Sequence, residues 1–111
     1  MTIDAFGKDL ATGSYDLVAL DILSDGPIYA YGMIRKIFEQ SRHQIRWHQG
    51  TAYRVLHHLE RQGLVTSRWQ GPKTGRRRKY YQLTEQGRRA WKQRRAQWRE
   101  FSRALTALID N

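Results

Sequence analysis

The stretch "GTAYRVLHHLERQGLVTSRW", residues Gly50–Trp69, decides the fold. Its apolar residues recur at the i, i+3, i+4 and i+7 spacing of a helix with one buried face, in the order Ala52, Val55, Leu56 and Leu59. We predict that this helix runs from Gln49 to Gln62, because Gly63 suits the position just beyond a helix C-terminus. The other face has one acid, Glu60, among polar and basic side chains, which are Thr51, Tyr53, Arg54, His57, His58 and Arg61.

A hairpin with a basic tip follows this helix. Two runs of β-type residues, "LVTSRWQ" (64–70) and "RKYYQLT" (78–84), flank a loop that contains glycine and proline. The cations at the tip are Lys73, Arg76, Arg77, Arg78 and Lys79. Adjacent cations repel one another, so they indicate an anionic partner rather than a role in folding. Because successive strand residues point to opposite faces, one of Tyr80 and Tyr81 should face the core and the other should point outward.

Helices are predicted on both sides of this unit. Ser14 can cap a first helix that ends before "DGP" (25–27), and a second helix is expected from Ala30 to Ser41. The residues "HQIRW" (43–47) have the composition of a short strand. Thr84 can cap a last helix that reaches Ile109, roughly 37 Å long at 1.5 Å per residue.

This order of elements predicts a mainly α fold with a two- or three-stranded wing. It is a winged helix-turn-helix plus a long C-terminal dimerisation helix, with the third helix placed to enter a major groove. We expect a flexible N-terminal arm at residues 1–13, a winged-helix DNA-binding domain at 14–84 and the C-terminal dimerisation helix at 85–111.

The charge of the chain favours the same function. The net charge is +10, and residues 61–111 hold 14 Lys and Arg against 3 Asp and Glu, whereas residues 1–60 hold 6 against 7. Such a basic half indicates nucleic acid as the first partner to consider. There is no cysteine, no signal-peptide pattern at the N-terminus and no apolar run of membrane-spanning length. A cytoplasmic protein is expected.

Three ordered blocks carry a resemblance to a known family. The blocks "GPIYAYGMIRKI" (26–37), "GTAYRVLHHLERQGLVTSRW" (50–69) and "GRRRKYYQLTEQGRRAW" (75–91) together resemble the PadR family of bacterial winged-helix transcriptional regulators. The resemblance implies a homodimeric DNA-binding repressor, often released by a small molecule and dimerised through the C-terminal helix, in the short branch without a separate effector domain. Ala52, Arg54 and Arg77 depart from the Leu, Pro and Pro that family members often have at these positions.

The candidate DNA contacts divide by chemistry. Arg54 and His58 are one turn apart and are predicted to face base edges, while Thr51 and Tyr53 are predicted to donate to phosphate. The wing arginines are predicted to reach phosphates or a minor groove. A non-specific architectural or RNA-binding protein is the alternative. His57 and His58 point about 100° apart on a helix, so no metal site is expected. The sequence has no phosphate-binding glycine loop, cysteine nucleophile or clustered pair of carboxylates, so no cofactor or enzyme activity is expected either.

The last helix carries an apolar stripe with coiled-coil spacing. Its residues are Trp91, Trp98, Phe101, Leu105 and Leu108. The stripe predicts a dimer seam from about Trp98 onward, although it could also be core or, with its basic neighbours, a membrane-surface helix. If two Trp98 rings meet across the dimer axis, they can hold a flat aromatic effector by stacking. The alternative is that Trp98 only fills the seam.

Overall fold

The computed structural model describes residues 8–111, with side chains from residue 14 onward. It contains four helices and a three-stranded antiparallel sheet of order β1-β3-β2, so the predicted winged helix-turn-helix with a long last helix is confirmed. The elements are α1 (Lys8–Leu23), β1 (Ile28–Tyr29), α2 (Ala30–Gln40), α3 (Gln49–Arg61), β2 (Val65–Gln70), β3 (Arg78–Leu83) and α4 (Glu85–Ile109).

Two predictions about local structure are wrong. The first helix begins at Lys8, so Ser14 lies within α1 instead of capping it. Of the arm predicted at residues 1–13, residues 1–7 lie outside the described part of the chain. The short strand is Ile28–Tyr29, which pairs with Tyr81 and Tyr80. Residues 43–47 form no strand, and only Ile45 makes an isolated β-bridge. Trp47 is instead 4% exposed and belongs to the core.

The core lies between α1, α2, α3 and the sheet. Each of these elements places apolar side chains into one continuous cluster, and the largest fully buried members are Tyr81, Leu20, Leu23, Met33, Leu56 and Leu59. The buried face of α3 is the one that its sequence periodicity predicts, namely Ala52, Val55, Leu56 and Leu59. As a result, the opposite face of α3 is left toward solvent.

A tight junction sets the start of α4. Gly63 ends α3 with a φ of 77°, a left-handed conformation that glycine adopts without strain. Thr84 Oγ1 donates to the Gly63 carbonyl oxygen at 2.7 Å and accepts from the Gly87 amide at 3.0 Å, which confirms Thr84 as the cap of the last helix. The helix therefore starts against the turn that joins α3 to β2.

Only the first part of α4 packs on the rest of its own chain. Trp91 packs against the core, and its Nε1 donates to Asp21 Oδ1 at 3.0 Å. Beyond this region the apolar side chains are exposed, and they are Trp98, Phe101, Leu105, Leu108 and Ile109. The far end of α4 consequently presents an apolar surface with no covering element among the described residues.

Candidate nucleic-acid interface

The outward face of α3 carries most of the residues predicted to contact DNA. Tyr53, Arg54, His57 and Arg61 are exposed, and Thr51 is half-buried near the start of the helix. No side chain caps the N-terminus at His48, and the first turn contains no acid. The amide groups of that turn and the positive end of the helix dipole are therefore not neutralised by a side chain, which favours the binding of an anion such as phosphate.

His58 lies on the flank of α3 rather than beside the exposed residues. Its Nε2 is 3.6 Å from Asp16 Oδ2 on α1. Arg54, one turn earlier, has its guanidinium carbon 5.7 Å from the centre of the Tyr15 ring. Both residues that were predicted to face base edges are thus in contact with α1, and Arg54 is the more exposed of the two.

The wing presents its cations to solvent. Lys73, Arg76, Arg77 and Arg78 are exposed, whereas Lys79 is half-buried with Nζ 5.6 Å from the centre of the Tyr81 ring. A β-carbon on Gly71, which has a φ of 136°, would lie 2.9 Å from the Arg76 carbonyl oxygen. The two ends of the tip therefore approach each other closely, which concentrates the cations in a small volume.

The two wing tyrosines have separate environments, as predicted. Tyr81 is 1% exposed and lies in the core. Tyr80 points to the other side of the strand, where it meets Tyr29 edge to face at 5.5 Å between ring centres. The guanidinium carbon of Arg78 lies 4.6 Å from the centre of the Tyr29 ring. Aromatic contacts therefore connect the base of the wing to the start of α2.

A groove of about 630 Å³ separates α3 from the wing. Tyr53 and His57 line one wall, and the cations from Arg76 to Lys79 line the other. Several residues that line this groove were not predicted from the sequence: Tyr29, Tyr31, Gln49 and Trp69. Tyr31 is 53% exposed and Trp69 is 59% exposed. Their exposure depends on where α2 and β2 pass the edge of α3, which no local pattern indicates.

The acid of α3, Glu60, forms a hydrogen bond with a side chain of the sheet. Glu60 Oε2 accepts a hydrogen bond from Ser67 Oγ at 2.7 Å. Burial, together with the nearby Glu60 carboxylate and Tyr53, raises the pKa of Tyr81. Since Arg76, Arg77, Arg78 and Lys79 line the groove and no acid among the described residues does, the groove attracts anions.

A second groove, of about 380 Å³, lies between α1 and α4 and extends to Ile37 and Gln40 of α2; we call it the α1–α4 groove. Trp98 forms part of its wall beside Arg95 and Arg99, and Leu17, Val18 and Ile22 of α1 supply apolar side chains. The Trp98 ring also contacts Phe101 at 6.2 Å between ring centres. The groove thus combines an exposed indole, apolar side chains and two cations within a single chain.

The adjacent histidines of α3 have different neighbours. His57 is near Tyr53, at 6.1 Å between ring centres, whereas His58 faces Asp16. Within the described residues, no group of three or more His, Asp or Glu side chains is arranged to hold a metal ion. None of the helices in that part of the chain is long and apolar enough to cross a membrane.

Comparison with known proteins identifies the family. The model of the PadR-like family of transcriptional regulators matches residues 19–93. A transcriptional regulator from Clostridium thermocellum has a similar structure, with a TM-score of 0.84 at 25% identity, covering 94% of this chain and 98% of that one. A PadR family transcriptional regulator from Eggerthella lenta gives a TM-score of 0.79 at 27% identity, with 93% and 88% covered.

One curated protein is similar to nearly the whole chain. It is an uncharacterised protein of Lysinibacillus sphaericus, 21% identical over 103 residues, which are 93% of this chain and 94% of that protein. The family match spans the end of α1, all of α2 and α3, the wing and the start of α4. This chain belongs to the PadR-like family of transcriptional regulators.

Proposed function

We propose that the protein is a homodimeric repressor that binds double-stranded DNA in a sequence-specific manner, with one recognition helix for each half-site. The observation that carries this proposal is that the exposed face of α3 and the cations of the wing border the same groove. A helix that enters a major groove beside a basic hairpin matches the docking of winged helix-turn-helix proteins. In this arrangement residues 14–84 bind DNA and residues 85–111 form the dimerisation helix.

The contacts on DNA are assigned by chemistry and exposure. Arg54 and His57 reach base edges, because they are exposed near the middle of α3. Thr51, Tyr53 and Arg61 bind phosphates on either side, and His58 supports the flank of the helix. The wing binds the DNA backbone or the adjacent minor groove through Lys73, Arg76, Arg77, Arg78 and Lys79.

The distal part of α4 supports a dimer. Phe101 is 57% exposed and Leu108 is 77% exposed. Apolar residues at coiled-coil spacing are stabilised by packing against a second helix. A variant with Phe101→Ser and Leu108→Ser should sediment as a monomer while keeping its helical circular dichroism, whereas the wild type sediments as a dimer. A wild-type monomer at micromolar concentration would contradict this part of the proposal.

Repression is the simplest consequence of operator binding, because a dimer that covers a promoter excludes RNA polymerase from the same DNA. The proposal places the protein in the cytoplasm and requires no cofactor or enzyme activity. A reporter gene placed downstream of the operator tests whether the protein represses or activates transcription. Expression should fall when the protein is present and recover with Arg54→Ala, and a rise in expression would identify an activator instead.

We further propose that a small aromatic effector binds beside Trp98 and releases DNA. The α1–α4 groove supports this proposal, because it offers an indole for stacking and apolar side chains around it. Planar aromatic compounds should quench tryptophan fluorescence in a saturable manner and lower operator affinity. Trp98→Ala should abolish the saturable change, while Trp69→Ala, at an exposed tryptophan of the wing, should retain it. If a dimeric Trp98→Ala protein binds the aromatic compounds as well as the wild type does, the proposed effector site is wrong.

The alternative is a non-specific architectural or RNA-binding protein that uses the same positive charge. Competition of labelled operator duplex against random duplex and structured RNA separates the two functions. A sequence-specific regulator should bind its operator about 10³-fold or more tightly than random duplex at physiological salt. Equal competition by all three nucleic acids would favour the alternative.

A further inference from the structure

One carboxylate oxygen of α1 contacts two other helices. Asp16 Oδ2 lies 3.6 Å from His58 Nε2 on α3 and also 3.6 Å from Arg94 Nη1 on α4. The three side chains are half-buried, so the contacts are partly shielded from water. The recognition helix and the C-terminal helix therefore meet at a single atom of α1.

The residue before Asp16 makes a parallel contact with the recognition helix. Tyr15 packs against the guanidinium of Arg54 and meets the buried Trp47 ring edge to face at 5.3 Å between ring centres. Tyr15 is thus fixed by the core on one side and touches Arg54 on the other. Together the two neighbouring residues of α1 contact both Arg54 and His58, which are one turn apart on α3.

The α4 side of the contact belongs to the segment that lines the α1–α4 groove. One turn before Trp98, Arg94 reaches Asp16, while the adjacent Arg95 lies 4.4 Å above the Trp91 ring and lines the groove. A movement of this part of α4 away from α1 would have to lengthen the contact between Arg94 and Asp16. The carboxylate would then be free to reorient toward His58.

We propose that Asp16 is a positioning residue that couples the placement of α4 to the orientation of the recognition helix through its shared contacts with Arg94 and His58. The part of this inference that concerns DNA recognition rests on the proposed function. Partly exposed ion pairs contribute little to stability, so the effect should appear in the geometry of α3 and in discrimination between duplexes more than in folding. Asp16 itself does not need to touch DNA.

The coupling can be tested in the free protein by NMR. Arg94→Gln should shift the ring resonances of His58, although the contact between the two residues runs through Asp16. In an Asp16→Asn background the same Arg94→Gln change should leave His58 unaffected. Arg103→Gln, an equal change of charge farther along α4, should not shift His58 in either background. The inference is overturned if His58 does not respond to Arg94→Gln, or responds equally in both backgrounds.

A second measurement follows the consequence for DNA. Asp16→Asn should weaken operator binding by about 2- to 5-fold, comparable with the loss of one partly exposed ion pair. Binding to random duplex should stay equal or become tighter, because the protein becomes more positive. Asp25→Asn makes the same charge change and breaks a contact with Lys36 elsewhere, so it should leave the ratio of the two affinities unchanged.

The two measurements separate the failure of this inference from the failure of the proposed function. An unchanged ratio of operator to random affinity in Asp16→Asn, or a proportional loss of both, would overturn the positioning role. If the wild type does not discriminate between duplexes at all, the proposed function fails. In that case the NMR experiment still decides whether the three side chains are coupled.

Discussion

Gly87 of α4 packs directly against the carbonyl group of Leu64, so closely that a β-carbon at position 87 would overlap the carbonyl oxygen. The same oxygen accepts a hydrogen bond from the amide of Thr84 at 3.1 Å. The backbone at the start of α4 is therefore in direct contact with the backbone of the first residues after α3. This junction fixes the direction in which the long helix leaves the DNA-binding domain.

Gly87→Ala should lower the free energy of unfolding by about 1–3 kcal/mol, because the clash is with backbone and cannot be relieved by a side-chain rotation. Gly50→Ala is the matched control. Gly50 is also helical, but no atom lies within 4 Å of its β-carbon position. That variant should gain about 0.5–1 kcal/mol from helix propensity. Urea denaturation at fixed protein concentration measures both. Equal stability of the Gly87 variant and the wild type would contradict the close contact.

The buried hydroxyl of Tyr81 forms no hydrogen bond to the described residues. Tyr81→Phe should therefore raise the free energy of unfolding by about 1 kcal/mol at neutral pH. The variant should also lose less stability than the wild type at alkaline pH. Burial raises the pKa of Tyr81 in the folded state, so this group adds no pH dependence below the unfolded value of about 10. Above that value the unfolded state loses its proton first, and the free energy of unfolding falls as pH rises toward the folded value.

Urea denaturation between pH 7 and pH 11 checks this prediction. The wild type should lose up to about 1.4 kcal/mol per pH unit more than Tyr81→Phe above pH 10. Tyr31→Phe, at an exposed position, is the control and should follow the wild type. If the Tyr81 and Tyr31 variants behave alike, the hydroxyl at position 81 is neither buried nor unpaired.

Local signals were sufficient for the helices, the hairpin and the Thr84 cap. Periodicity identified the buried face of α3, and Gly63 ends that helix in a left-handed conformation. The start of α1 was missed because Ser14 is a good cap by residue type, whereas the helix continues through it. The strand at Ile28–Tyr29 was missed because it exists through its pairing with β3, more than fifty positions along the chain. Such a distant pairing leaves no local pattern.

The candidate site was predictable to the extent that it follows helix geometry. Periodicity correctly predicts that Arg54 and His57 point away from the core. It cannot show that Asp16 lies opposite His58, because that contact depends on how α1 crosses α3. The same limit applies to Tyr31 and Trp69, whose place in the groove follows from the packing of separate elements.

The wing arginines should act as phosphate contacts. Replacing Arg76, Arg77 and Arg78 by alanine should weaken binding to every duplex by a similar factor and flatten the salt dependence by up to about one unit for each lost contact. Arg103→Ala removes one charge from the distal part of α4 and should change the slope less than any single wing variant. Fluorescence anisotropy over a series of salt concentrations measures the slopes. An unchanged slope in the triple variant would show that these three arginines do not contact phosphates.

Arg54 should contribute to base discrimination. Arg54→Ala should reduce the preference for the operator over a duplex altered at one base pair by about 1–3 kcal/mol if the guanidinium binds guanine at two points. Arg54→Lys keeps the charge but lacks the planar fork, so it should retain affinity for random duplex and still lose discrimination. Titrations with single-base operator variants measure the effect. An equal loss on all sequences would make Arg54 a phosphate contact.

Selection of bound sites from a random duplex pool tests the central claim most directly. A two-fold dimer with one recognition helix per half-site should enrich an inverted repeat whose half-site centres are about 10 base pairs apart, or a multiple of that distance. The purified protein should then protect this repeat symmetrically from cleavage at physiological salt. A pool that remains random after repeated rounds, while binding stays tight, would contradict sequence-specific recognition by the dimer.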